Sequence, residues 1–173
     1  MERKIILYIA SSLDGFIAAP DDNLDFLKMV EKPGEDYGYK AFMEGIDTMI
    51  MGNRTYEWVM RHEPDFVSDT DTYIYSRSFK PNKGNIIFHP GDLAALARDL
   101  KSKKGKDIVC LGGAVVTNLL IREGLIDEMV ISIIPVILGK GTRLFWDEGH
   151  QTNLELISAE KYDTGLVQLR YKI

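Results

Sequence analysis

The feature of this chain that most restricts its fold is an alternation of short Ile- and Val-rich runs with segments of helical periodicity. Each run has the length of a strand and is apolar on both sides, which is typical of a sheet covered by helices on both faces. The predicted strands are 4–10, 48–51, 72–75, 85–88, 107–111 and 128–134.

The intervening segments predict helices at 25–30, 36–44, 55–60, 92–103 and 114–123. Asp92 is a suitable N-cap and Gly124 a suitable residue to follow the last helix. At the end of the chain, "LELISAEKY" and "LVQLRYKI" flank "DTG" and predict an antiparallel hairpin. The sum is a single α/β domain over 1–173, with a mostly parallel central sheet, an antiparallel C-terminal hairpin and helices on both faces.

The acidic composition restricts the partners of the chain. Its net charge of −5 excludes a duplex nucleic-acid binder, which needs a basic face, and leaves a small-molecule substrate as the expected partner. The longest apolar run, "MVISIIPVILG", is too short for a membrane span, and the first residues lack a signal-peptide core, so a cytoplasmic protein is expected. Cys110 is the only cysteine and is interpreted as a core residue. The histidines show no metal-ligand spacing, and no metal site is predicted.

The segment "DIVCLGGAVVTNLL" places Gly112 and Gly113 between a strand and a helix. Ligands of open α/β sheets bind beyond the carboxyl ends of the strands. Glycines there let the backbone approach a ligand and expose N–H groups at a helix N-terminus, which suits a phosphate. The alternative is that the glycines only allow close packing of strand and helix. The pattern G-x-G-x-x-G is absent, so an ordinary Rossmann site is excluded.

Two further strand ends carry residues suited to phosphate. "DTMIMGNRTYEW" follows a strand with Gly52, with the permanent cation of Arg54 and with Thr55, which is predicted to cap the next helix. "YIYSRS" ends the next strand with three residues suited to a 2′-phosphate: Ser76, Arg77 and Ser78. Three such strand ends favour one long phosphorylated ligand.

Three blocks carry a resemblance to a known family: "IASSLDGFIA", "DTMIMGNRTYE" and "LGGAVVTNLLIREGLIDEMVISIIPVILGKGTRLF". They resemble the dihydrofolate reductase-like superfamily and, more narrowly, stand-alone relatives of the reductase domain of bacterial riboflavin-biosynthesis enzymes. The resemblance covers nearly the whole chain in the same order. It implies a dihydrofolate reductase-like fold, NADPH as cofactor and a homodimer.

The resemblance also implies positions for the cofactor. The nicotinamide is expected beside Ala10, Ile17 and Ala18. The residues expected to contact the phosphates and the pyrophosphate are Gly52, Asn53, Arg54, Thr55, Gly112, Gly113, Ala114 and Val115. The residues expected beside the 2′-phosphate are Ser76, Arg77 and Ser78.

Two aspartates are candidates for the catalytic proton donor. Asp36 opens a predicted helix, and the acid of dihydrofolate reductases occupies a similar place; the alternative is that it only caps that helix. Asp14 lies in "SLDGFIA", which resembles the loop over the nicotinamide; the alternative is an Asx turn, because Asp-Gly is ordinary turn chemistry.

The function implied by the resemblance is an NADPH-dependent reductase. It would transfer a hydride to a small planar heterocycle, pterin- or pyrimidine-like, or to a related imine or carbonyl compound. The riboflavin-pathway reductases usually carry a glutamate where Leu111 stands and a lysine where Tyr8 stands. These departures leave open an alternative, a non-catalytic NADP-binding protein that acts as a sensor or assembly partner.

Overall fold

The computed structural model describes residues 3–63, 70–147 and 151–173. The strands are β1 (Ile5–Ser12), β2 (Phe16–Ala18), β3 (Ile46–Gly52), β4 (Asp71–Tyr75), β5 (Ile86–His89), β6 (Asp107–Cys110), β7 (Glu128–Ile134), β8 (Thr142–Arg143), β9 (Glu155–Lys161) and β10 (Val167–Lys172). The α-helices are α1 (Tyr39–Met43), α2 (Asn53–His62), α3 (Leu93–Ser102) and α4 (Ala114–Arg122). Two 3₁₀ helices span Pro20–Asp22 and Asp25–Val30.

Eight strands form the central sheet in the order β5-β4-β3-β6-β1-β7-β10-β9, and β2 pairs with β8 separately. The strands from β5 to β7 run parallel, and β10 is antiparallel to both β7 and β9. The predicted parallel sheet with a C-terminal antiparallel hairpin is therefore confirmed. Every predicted strand is present. Runs of apolar β-branched residues favour strands that are buried on both faces of the sheet.

Helices cover both faces of the sheet, as predicted. On one face, α3 and α4 bury Leu100 and Leu120 in the largest core cluster, together with side chains of β1, β3 and β6. On the other face, Phe42 of α1 and Tyr56 of α2 pack into two smaller clusters. The carboxyl ends of β1, β3, β4 and β6 consequently meet at one edge, where the chain turns into the loops and helices that follow.

The helix predicted at 36–44 is shorter than expected. The α-helix covers only Tyr39–Met43, and Asp36 lies before it in a turn. Gly38 has a φ of 75° and Tyr37 a φ of 55°, so the backbone before Tyr39 is left-handed and cannot continue a right-handed helix. The segment predicted as a helix at 25–30 is a 3₁₀ helix.

The prediction that Thr55 caps α2 is wrong. The N-cap is Gly52, which has no side chain to donate or accept, and Thr55 lies inside the first turn. Its hydroxyl oxygen instead accepts a hydrogen bond from the backbone N–H of Gly113, 2.9 Å away. The other two helix signals are confirmed: Asp92 caps α3 by accepting from the N–H groups of Ala94 and Ala95, and Gly124 follows α4 with a φ of 64°.

Candidate functional site

The N-termini of α2 and α4 lie side by side beyond the carboxyl ends of β3 and β6. The N–H of Gly52 donates to the carbonyl oxygen of Gly112 at 2.8 Å, and Thr55 bonds to Gly113 as described above. Neither N-cap, Gly52 or Gly113, supplies a side chain to the first N–H groups of its helix. Those groups carry partial positive charge, so the paired helix ends form a site suited to an anion with more than one charged group.

Packing of neighbouring residues restricts the space for a side chain at both positions of the double glycine. Gly112 has a φ of 82°, and a Cβ there would lie 2.8 Å from Cδ1 of Ile9. A Cβ on Gly113 would lie 3.3 Å from Oγ1 of Thr55 and 3.9 Å from Cδ1 of Ile17. The two interpretations of these glycines are therefore compatible, because the same absence of side chains lets β1 and α2 approach and leaves the backbone bare.

The cation of Arg54 is paired with the loop that follows β2. Its Nε lies 2.6 Å from Oδ2 of Asp22, and the Arg54 side chain remains largely exposed. Asp21 and Asp22 have φ values of 61° and 58°, a conformation that aspartate tolerates better than most residues. Arg54, the residue predicted to contact a phosphate, is thus held by the carboxylate of Asp22 at the rim of the site formed by the two helix N-termini.

The third predicted strand end, after β4, lies next to that of β3. The hydroxyl of Ser76 is used within its own turn, where it donates to the carbonyl oxygen of Ser78 at 3.0 Å. Arg77 is exposed and has no ion pair within the described part of the chain. Asn53 bridges Lys80 and Glu57, accepting from the first at 2.8 Å and donating to the second at 2.8 Å. Arg77 is therefore the residue of this group whose positive charge is available to a ligand.

The loop from Ser12 to Ala19 is fixed to the segment after β7. The Asp14 carboxylate accepts from the N–H of Leu138 at 3.0 Å and of Gly139 at 2.7 Å. These two N–H groups and, above all, the Ser12 hydroxyl hold the pKa of Asp14 at about 2. A carboxyl group with so low a pKa is ionised at neutral pH, which favours the structural alternative for Asp14 over proton donation.

Asp36, the other candidate acid, is exposed. Its carboxylate oxygens accept from the N–H groups of Gly38 at 3.0 Å and of Lys40 at 3.1 Å, so it caps α1 from outside the helix. The pKa of Tyr8 is raised above its ordinary value of 10.0, first by burial and then by the negative charge of Asp36. A hydrogen bond from Gln168 acts in the opposite direction and lowers this pKa. Asp36 therefore lies near the sheet face that carries Tyr8, and its catalytic role stays a prediction.

The expected nicotinamide neighbours lie where β1 meets its loop. Ala10 is half-buried and packs with the cluster around Val30 and Ile134, and Ala18 is buried. Ile17 stands beside Gly113. Ala114 opens α4, whereas Val115 is exposed on that helix. The predicted cofactor residues thus lie along one edge of the sheet.

A group of polar residues missed by the sequence interpretation lies beside Ala10 on the same face. Ala10 pairs with Ser132 on β7, which in turn pairs with Gln168 on β10. The amide nitrogen of Gln168 donates to the hydroxyls of Tyr8 and Ser132, both at 3.2 Å, and to the carbonyl oxygen of Tyr37 at 3.3 Å. The available signal was the presence of single polar residues within the apolar strands "MVISIIP" and "LVQLRY".

A cavity of about 560 Å³ adjoins this group. It is lined by Leu27, Val30, Glu31, Lys32, Pro33, Glu35 and Tyr37. Tyr37 belongs to both features, since it lines the cavity and its carbonyl oxygen accepts from Gln168. The volume is within the range of small-molecule sites.

None of the helices in residues 3–63, 70–147 and 151–173 is long and apolar enough to cross a membrane. Cys110 is buried, as expected of a core residue, and burial raises the pKa of its thiol to about 11.

Comparisons with known proteins agree with this architecture. The chain is 39% identical to the uncharacterized protein YwjB of Bacillus subtilis (strain 168), over 99% of this chain and 98% of that protein. A crystal structure of a putative riboflavin biosynthesis protein from Shewanella sp. PV-4 superposes with a TM-score of 0.89 at 30% identity, covering 99% of this chain and 98% of the other.

The dihydrofolate reductase of Enterococcus faecalis, solved in complex with NADP(H) and RAB-propyl, shares the fold with a TM-score of 0.68. Its identity is 16%, over 99% of this chain and 98% of that enzyme. Residues 3–168 match the family described as the RibD C-terminal domain. With its eight-stranded sheet, its double glycine at the end of β6 and this match over nearly its whole length, the chain belongs to the RibD C-terminal domain family.

Proposed function

We propose that this protein is an NADPH-dependent reductase of a small planar heterocycle, pterin- or pyrimidine-like, or of a related imine or carbonyl compound. The observation that carries the proposal is the pair of helix N-termini at Gly52 and Gly113, whose N–H groups lack side-chain caps. Two positive helix ends next to Arg54 and Arg77 fit the diphosphate and 2′-phosphate groups of a dinucleotide. One protein of the same fold, the dihydrofolate reductase of Enterococcus faecalis, was solved with NADP(H), which supports the same assignment.

The residues of this chain divide into binding and orienting groups. Gly52, Gly112 and Gly113 would let the phosphates approach the backbone, and the N–H groups of the first residues of α2 and α4 would hold them. Ala10 and Ile17 would lie beside the flat nicotinamide ring. When bound, NADPH supplies a hydride, and the protein contributes orientation and a protonated group near the acceptor. The Tyr8 hydroxyl is protonated at neutral pH, and burial raises its pKa further.

The test is a comparison of NADPH and NADH by thermal unfolding. Selective binding to the folded state at a hundredfold excess over Kd stabilises by about 2.7 kcal/mol, which raises Tm by roughly 5–10 °C for a chain of this size. We expect a larger shift with NADPH, and Arg77→Ala should reduce the difference because its free cation is suited to the 2′-phosphate. No shift with millimolar NADPH would contradict the proposal.

The second candidate is an NADP-binding protein without turnover. It is favoured by the exposure of Asp36 and the low pKa of Asp14, which leave neither carboxyl group in a dry cleft. Binding of NADPH without its oxidation in the presence of pterin, pyrimidine and quinone compounds would support it. Steady oxidation with any of these, lost in Asp36→Asn but not in Asp25→Asn, would exclude it and identify Asp36 as the proton donor.

The pair between Arg54 and Asp22 predicts an effect on coenzyme affinity. The Asp22 carboxylate offsets the charge of Arg54 and would repel a phosphate bound beside it, and an exposed ion pair of this kind is worth about 0.2–1 kcal/mol. We expect Asp22→Asn to tighten NADP⁺ binding roughly two- to fivefold, measured by calorimetry. Asp25→Asn is the matched control, because it removes an equal charge from an exposed pair with Lys28. Unchanged or weaker binding in Asp22→Asn would contradict this assignment.

We also propose that two copies associate through β9. This strand pairs with β10 alone within the described residues, and it exposes Leu156 and Ile157. Antiparallel pairing with a second copy about Ser158 would place Glu155 opposite Lys161 of the partner subunit, twice by symmetry. The exposed edge is thus complementary to itself in charge as well as in hydrogen bonding.

Sedimentation or light scattering tests the association. Wild-type protein is expected to be a dimer, and Lys161→Glu is expected to be mostly monomeric because it opposes two pairs of like charges. Exchange of both charges, in Glu155→Lys with Lys161→Glu, should restore the dimer. A monomeric wild type, or a double variant that associates as weakly as the single variant, would rule out this pairing.

A further inference from the structure

Asn118 of α4 is a buried polar side chain, 8% exposed, and both ends of its amide have partners. The amide nitrogen donates to the carbonyl oxygens of Ala114 at 2.7 Å and of Leu144 at 2.8 Å. The amide oxygen accepts from the backbone N–H of Trp146 at 2.9 Å. An amide nitrogen carries two protons, so both of its donors are used. Asn118 therefore joins α4 to the segment that begins with β8.

That segment is joined in turn to the loop after β1. The backbone N–H of Leu144 donates to the carbonyl oxygen of Gly15 at 2.9 Å, and β8 pairs with β2. The guanidinium of Arg143 lies over the ring of Phe16, 4.8 Å from its centroid. Leu144 thus bonds to Asn118 through its carbonyl oxygen and to the loop through its N–H, so it links the helix to β2.

The strand β2 brings the chain back to the start of α4. Ile17 packs against the largest core cluster, and a Cβ on Gly113 would lie 3.9 Å from its Cδ1. Gly113 is the N-cap of α4, and Ala114, whose carbonyl oxygen accepts from Asn118, is the first residue of that helix. The contacts therefore form a closed ring, which runs from α4 through β8 and β2 back to α4.

This ring connects the two ends of the proposed coenzyme site. The start of α4 is assigned to the pyrophosphate, and Ile17 is assigned to the nicotinamide. A ligand that contacts both needs the helix and β2 in fixed relative positions. If β2 is not held before binding, the conformational entropy of ordering it is lost on binding, and the affinity falls.

We propose that Asn118 is a positioning residue of the coenzyme site, which holds β8 and β2 on α4 and so places Ile17 beside the nicotinamide ring. The inference rests on the proposed function, because it assigns the two ends of NADPH to α4 and β2. Because Asn118 is buried, it acts through Leu144 and Ile17. Its effect falls on the nicotinamide end of the coenzyme and spares the phosphate end.

The test compares NADP⁺ with 2′-phospho-ADP-ribose, which carries the same phosphates and lacks the nicotinamide. Asn118→Leu keeps the branched arrangement of side-chain atoms and removes all three hydrogen bonds. We expect this variant to bind NADP⁺ roughly tenfold more weakly and 2′-phospho-ADP-ribose less than about twofold more weakly. Calorimetric titration measures both affinities. A purely structural role of Asn118 would change the two affinities alike or change neither.

A second variant covers the case in which Asn118→Leu does not fold. Asn118→Ser keeps a hydroxyl that can donate to the carbonyl oxygen of Ala114 within the helix but is too short to reach Leu144. It should separate the two ligands in the same direction. Asn85→Leu is the matched control, because the Asn85 amide donates to the carbonyl oxygen of Thr70 at 2.8 Å, beside the amino end of β4. We expect it to leave both affinities unchanged.

Hydrogen exchange of the protein without ligand gives an independent measurement. In Asn118→Leu and Asn118→Ser, the N–H of Leu144 and the N–H groups of β2 should exchange roughly tenfold faster or more, because the link that holds them on α4 is lost. The N–H groups of β6 should stay protected. Exchange of Leu144 and β2 at the wild-type rate in both variants would show that Asn118 does not hold this segment.

The outcomes distinguish this inference from the function on which it rests. Failure of the wild type to bind NADP⁺ overturns the proposed function and the inference with it. Normal binding by the wild type, together with an equal loss for both ligands or with no loss in the Asn118 variants, overturns the inference alone. Equal affinity of the wild type for the two ligands also overturns it, because the placement of Ile17 would then add nothing to binding.

Discussion

Gly112→Ala is expected to abolish most of the affinity for NADPH, with a loss of tenfold or more. The φ of 82° at Gly112 costs an alanine about 1–2 kcal/mol, and the new Cβ would lie 2.8 Å from Cδ1 of Ile9. Rotation of the Ile9 side chain can relieve the contact, but only movement of the backbone can relieve the strained φ, and that movement displaces the N–H groups at the start of α4. Calorimetric titration of NADPH measures the affinity, and urea unfolding measures the accompanying loss of stability.

Gly124→Ala is the matched control for that variant. Gly124 also has a left-handed φ, 64°, but a Cβ there meets nothing within 4 Å, and it lies at the far end of α4. We expect a similar cost in unfolding free energy with unchanged coenzyme affinity. Equal affinities in wild type and Gly112→Ala would show that the backbone after β6 does not bind the coenzyme.

Gly141→Ala is expected to have the largest effect on stability, a loss of about 2–4 kcal/mol. A Cβ at Gly141 would overlap the carbonyl oxygen of Ala18 and would lie 3.1 Å from Cα of Ala19. Both are backbone atoms, so no side-chain rotation can relieve the contact. The pairing of β2 with β8 would open, and Ile17 would leave its place beside Gly113. Urea unfolding measures the loss, and hydrogen exchange localises it to β2 and β8.

Gly139→Ala tests whether that loss comes from the overlap. Gly139 has a left-handed φ of 73° and open space around it, so its alanine variant carries only the backbone cost. We expect protection of β2 to survive in Gly139→Ala and to disappear in Gly141→Ala. If both variants behave alike, the contact with Ala18 does not hold the loop in place.

The environments of Asp14 and Asp36 depend on tertiary contacts that the sequence alone does not reveal. "SLDGFIA" identified Asp14 as either a turn residue or a catalytic acid, and only the fold brings the N–H groups of Leu138 and Gly139 to its carboxylate. Asp36 was assigned to a helix from its spacing. The left-handed backbone at Tyr37 and Gly38 keeps it outside that helix, because the turn is set by tertiary hydrogen bonds as well as by local preference.

The sequence by itself determined the sheet, the C-terminal hairpin and the position of the double glycine. These depend on the spacing of apolar residues and on the backbone freedom of glycine, which are local properties. The tertiary structure alone decided that Thr55 bonds to Gly113, that Arg54 is paired with Asp22, and that Tyr8, Ser132 and Gln168 meet on one face. Such contacts follow from the order of strands in the sheet, and residues up to 160 positions apart become neighbours only when that order is formed.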